Sequence, residues 1–175
     1  MPAPRFNVAR RKASEVLKKA KVKRAPIDLT QIAKTVGATI HYEPLDNEIS
    51  GMATRTSQGV ALIGVNALHA KARQRFSIAH EIGHLVLHED EMLHVDSKYQ
   101  IALRSPQSST GTDSKEVEAN QFAAELLMPR KMVEEDVARL IDDLEIEEAI
   151  SELAQKYQVS EQAMTIRLTT LGFLS

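Results

Sequence analysis

The chain has 175 residues, a formal net charge of -2 and no cysteine. That length allows one well-formed core, or a core with a small appended module, and the near-neutral charge gives no overall pull toward nucleic acid or membrane. Without thiols there are no disulfides, thiolate metal sites or cysteine nucleophiles, so any metal must be held by nitrogen and oxygen.

No apolar run approaches the roughly 20 residues that span a bilayer, and the basic start lacks the apolar stretch of a secretory signal. The expected location is therefore the cytoplasm, with no membrane partner. Charge is uneven along the chain: cations crowd residues 5–24, whereas Glu134 to Glu152 is acid-rich.

Residues 5–21 read as a helix with a thin apolar stripe, Phe6, Ala9, Ala13, Leu17 and Ala20, and a basic remainder. Such a helix is either a solvated one packed on the domain or an arm facing a polyanion. "APIDLTQIAKTVG" then predicts one short helix, with Asp28 as N-cap and Gly37 as its stop. "ATIHYEP" alternates and is β-branched, as a strand ended by Pro44 would be. "EISGMATRT" and "GVALIGVNA", joined through Ser57, Gln58 and Gly59, predict a hairpin with a nearly all-apolar second arm. Asn66 opens a helical region over 67–88.

From about 104 to 114 the chain is polar and aperiodic, as a surface loop is. "SKEVEANQFAAELLMP" resumes the helical pattern, which Pro129 stops, and three further helical patterns follow. The expected fold is α+β: a mainly helical domain with a small twisted antiparallel or mixed sheet of about three strands, a long helix after it, and C-terminal helices. Its divisions are a basic N-terminal helix (1–25), a central domain (26–130) and a C-terminal, helix-turn-helix-like segment (131–175).

The chemistry is concentrated in "RFSIAHEIGHLVLHED". On a helix, residues four apart lie on one face, so His80 and His84 can both reach one cation. Glu81 is displaced by about 100°, beside the cation and not on it, where a carboxylate can act as a general base. Ile78, Ala79, Ile82, Leu85, Val86 and Leu87 imply a helix buried on most sides. A buried ionic cluster there is costly unless a cation compensates it.

A third ligand is needed. His88 is two turns beyond His80, about 12 Å along the axis, too far to share the ion, and reads as a helix-end cation or surface residue. Asp90 lacks a turn to bring it back, and Leu87 and Asp90 stand where the metzincin pattern has glycine and histidine. A carboxylate from "EVEANQFAAELLMP" is the better geometry: Glu116, Asn120 and Ala123 share a face, from which Glu118 points away.

"RFSIAHEIGHLVLH", followed after a polar loop by "EVEANQFAAELLMP", resembles the ImmA/IrrE family of zinc metallopeptidases over about residues 27–133. The resemblance implies that residues 26–130 form a zincin-like metallopeptidase domain whose active-site helix carries the two histidines, with one Zn2+ per chain held by His80, His84 and Glu116 and with Glu81 as catalytic base. Counting back from Leu-Leu-Met-Pro favours Glu116 over Glu118. It also implies a protein substrate, a cognate helix-turn-helix repressor whose cleavage switches on phage, mobile-element or stress genes.

The strand of Val60 to Val65 is expected to be a sheet edge on which substrate lies extended, with Val60, Leu62, Gly64 and Asn120 as substrate-binding candidates. For the oxyanion, Tyr99, His94 and Asn120 are open alternatives, and Asn120 could equally fix a ligand.

Two non-proteolytic readings stand beside this one. A toxin-antitoxin or regulatory protein would bind its partner without cutting it. The segment "ELAQKYQVSEQAMTIRLTTLGF" resembles a helix-turn-helix unit, but its second helix offers only Arg167 as a strong cation, which makes nucleic acid at most a secondary partner.

Overall fold

A computed structural model describes residues 4–56, 58–88, 93–96, 114–140 and 145–174. Helix α1 (Phe6–Lys19) buries Ala9, Ala13, Val16 and Leu17 and leaves most of its cations outside. Its apolar stripe is covered mainly by a later helix, α4 (Ser114–Leu127), so α1 is docked and not a free arm. Helix α2 (Leu29–Thr35) starts where Asp28 Oδ1 accepts hydrogen bonds from Thr30 N (2.9 Å) and Gln31 N (3.1 Å), and Gly37 follows it with φ +75°.

Four strands follow: β1 (Ala38–Glu43), β2 (Gly51–Arg55), β3 (Ala61–Asn66) and β4 (Leu93–Asp96). Their order is β1-β3-β2-β4, with β1 parallel to β3 and the other pairs antiparallel. The hairpin of β2 and β3 pairs Gly51 with Val65 and Arg55 with Ala61, as the sequence pattern predicts. The mainly helical α+β fold with a small mixed sheet is as expected, with one strand added and one strand placed differently. The sheet gains β4, a four-residue strand in a charged stretch with too few residues to show a period of two. The strand of Val60 to Val65 is not an edge, because β3 is paired on both sides and its backbone is committed to β1 and β2.

Helix α3 (Lys71–Leu87) carries the two histidines and begins four residues later than Ala67. The delay has a local cause. Asn66 Nδ2 donates to Leu45 O (3.1 Å), Asp46 O (3.0 Å) and Ile49 O (2.9 Å), and its Oδ1 accepts from Leu68 N (3.0 Å). Gln74 Nε2 donates to the carbonyls of Asn66, Ala67 and His69, so the turn is satisfied without being helical.

One face of the sheet packs on α3 through Ala53, Ile63 and Val65; α4 crosses α3 on its other side. Gly83 permits that approach, since a Cβ on it would lie 3.1 Å from both Cα and O of Ala119. Phe122, Leu126 and Leu127 of α4 are fully buried, each contributing about 1.5–3 kcal/mol of apolar burial.

Helices α5 (Arg130–Leu140), α6 (Ile146–Tyr157) and α7 (Glu161–Leu171) complete the chain. Gln158 in the left-handed conformation (φ 54°) ends α6, and the Ser160 hydroxyl accepts from Ala163 N (3.1 Å) to start α7. Asp136 joins α5 to α6, accepting from Lys156 Nζ and from the buried Tyr157 hydroxyl, each at 2.7 Å. Burial and that carboxylate push the Tyr157 phenol well above its ordinary pKa.

Candidate metal centre

His80 and His84 sit on consecutive turns of α3, 2 % exposed each, and Glu116 enters from the first turn of α4. Their donor atoms converge. His80 Nε2 is 3.2 Å from His84 Nε2; Glu116 places Oε2 3.3 Å from His80 Nε2 and Oε1 3.2 Å from His84 Nε2. Donor atoms at about 2.0–2.1 Å from one tetrahedral centre are about 3.3–3.4 Å apart, so the cluster has the dimensions a zinc-sized ion requires. Its composition also fits, with two imidazoles and one carboxylate and no thiolate.

Asn120, one turn after Glu116, explains why His80 turns Nε2 inward. Its Oδ1 lies 2.7 Å from His80 Nδ1. With that oxygen as acceptor, the His80 proton resides on Nδ1 and Nε2 presents its lone pair to the cluster. Of the three roles open for Asn120, the geometry favours fixing a ligand. Removing such a partner is expected to cost about 10–100-fold in metal affinity. Asn120→Ala should therefore bind zinc correspondingly more weakly in a chelator competition, with little change in the unfolding of the metal-free protein.

Glu81 is fully buried, and β2 covers it. A Cβ on Gly51 would come within 3.4 Å of both Glu81 Cγ and Oε1, so a glycine at that point of the strand leaves the carboxylate its space. Glu116, in contrast, is 31 % exposed in its side chain, which marks the accessible side of the cluster.

The other substrate-binding candidates do not join this group. Val60 lies in the hairpin turn, 46 % exposed. Leu62 and Gly64 alternate with the buried Ala61, Ile63 and Val65, and so face away from α3. Tyr99, Asp90, Ser57 and the His94 side chain lie outside the described residues, as does the polar loop but for Ser114, which opens α4.

His88 is not a surface residue, and it stands outside the cluster of His80, His84 and Glu116. It is 7 % exposed, and its Nε2–H donates to Lys115 O (3.3 Å) while lying 3.8 Å from Glu118 Oε2. Glu118 is itself buried and accepts from the Arg5 backbone N (2.8 Å), Nε (3.1 Å) and Nη2 (3.0 Å). Burial alone would raise the Glu118 pKa, but the Arg5 hydrogen bonds and the charges of Arg5 and His88 hold it below the usual carboxylate range. The stability this contact supplies is thus present at neutral pH and is lost as acidification passes the lowered value. Sequence reasoning missed the arrangement because Arg5 stands in a run of nine cations, where nothing marks one as paired.

The C-terminal pair of helices has helix-turn-helix connectivity, yet Arg167 points inward. It is 3 % exposed, its Nη2 donates to Glu125 Oε2, and its Nε donates to Met128 O (3.0 Å). The one strong cation of α7 is therefore held in the core against α4. No helix among the described residues is long and apolar enough to cross a membrane.

Comparison with known families matches residues 33–169 to Peptidase_M78, the IrrE N-terminal-like domain. No curated protein matches the chain.

Proposed function

This chain belongs to the IrrE N-terminal-like family of metallopeptidases, and on that premise we propose that it is a zinc-dependent, site-specific endopeptidase of the cytoplasm whose substrate is a helix-turn-helix transcriptional repressor. The observation that carries the metal assignment is the convergence of His80, His84 and Glu116 at 3.2–3.3 Å between donor atoms. A zinc ion held by these three groups supplies Lewis acidity at a peptide carbonyl and brings the pKa of a water down toward about 7.

The chain's own groups do the rest. His80 and His84 offer their Nε2 atoms, and Asn120 keeps the His80 proton on the outer nitrogen. Glu81, buried against β2 beside the ligands, accepts a proton at its carboxylate from the attacking water and delivers it to the departing amine. Burial excludes bulk solvent from that carboxylate, while the exposed side of Glu116 leaves an approach for substrate. Among the described strands, the outer one next to β2 is β4, and an extended substrate backbone would add there.

Production of the protein together with a candidate helix-turn-helix repressor, such as any regulator encoded by an adjacent gene, followed by intact-mass analysis, tests the substrate assignment. Two repressor fragments with the wild type are expected, and their absence would count against it. A DNA-reading role for α7 gains no support from a buried Arg167.

A further inference from the structure

The first turn of α4 is gripped from two sides by residues outside the metal cluster. From the carboxyl end of α3, His88 reaches Lys115 O and Glu118. From the amino end of α1, Arg5 gives Glu118 three hydrogen bonds, two of them from the planar fork of its guanidinium. Glu116 lies between those two anchor points in sequence.

We propose that Arg5, Glu118 and His88 form a positioning clamp that sets the Glu116 carboxylate against His80 and His84, so that the start of the chain tunes metal affinity. The inference rests on reading those three residues as a metal site. Three physical points support it. Helix ends fray, whereas ligand atoms need placing to within about 0.5 Å. Glu116 stands in the first turn of α4, so its carboxylate can be placed no more closely than that turn is. The Glu118 side chain is 4 % exposed, and its charge meets the positive amino end of α1, where Arg5 is the N-cap residue. One carboxylate thus ties α1 to α4, and His88 ties the same turn to α3. A bidentate fork fixes direction as well as distance, which a lysine cannot do.

The experiment uses the full chain and zinc itself, titrated against a competing chelator well below each variant's unfolding temperature. Alongside it, hydrogen exchange of residues 114–119 is followed in the metal-free protein. Arg5→Ala is expected to weaken zinc binding about tenfold, at the low end of the range for groups that orient ligands, and to speed that exchange. Arg5→Lys should recover only part of the loss. The double variant Arg5→Ala/Glu118→Gln should be no weaker than the weaker single one, because the two act as one unit. Wild-type zinc affinity and wild-type exchange in Arg5→Ala, even with a lower Tm, would overturn the clamp alone. A wild-type protein that binds no zinc would overturn the site reading and the clamp together.

Discussion

Glu81→Gln is expected to fold and bind zinc like the wild type while losing turnover by at least about 10²–10⁴-fold, the usual worth of a positioned acid or base. That is about 3–5 kcal/mol of barrier. The substitution keeps the shape of a fully buried side chain lying against Gly51, so packing changes little. It removes the group proposed to accept and return the proton and leaves all three proposed ligands in place. Zinc stoichiometry and the rate of repressor fragmentation, measured on the same preparation, separate these effects. A Glu81→Gln protein that cuts at the wild-type rate would remove the proposed base.

The second large effect concerns stability. Arg167→Ala should destabilise the fold by about 3–5 kcal/mol, because the Glu125 carboxylate would stay buried with its charge uncompensated. It also removes the bond from Arg167 Nε to Met128 O, which holds α7 against the end of α4. At about 2–4 °C per kcal/mol for a chain of this size, Tm should fall by roughly 6–20 °C. Arg167→Met combined with Glu125→Gln should recover much of the loss, since it removes the buried charge along with its partner. A single Arg167→Ala variant within 1 kcal/mol of wild type would show that Glu125 relaxes to solvent.

The contrast between these two residues shows what a sequence makes visible. Glu81 stands in a pattern whose spacing follows from helix geometry, so its place beside two histidines could be read from the letters alone. Arg167 and Arg5 form contacts 42 and 113 residues distant in sequence, and no periodicity encodes those. The same division holds for the fold. Asp28, Gly37 and the hairpin of β2 and β3 are local and were legible. The interior position of β3 was not, because it depends on β1 returning to pair in parallel and on β4 covering β2 from the other side. His88 was likewise legible as a helix-end residue but not as a buried one, because α4 supplies Lys115 O and Glu118 as its surroundings.

The most direct measurement is a crystal grown with zinc and examined at the zinc absorption edge. A single anomalous peak about 2.0–2.2 Å from His80 Nε2, His84 Nε2 and a Glu116 oxygen, lost in Glu116→Gln, is the result the account predicts. Stoichiometric zinc elsewhere in the chain, or none with the ion in excess, would contradict it.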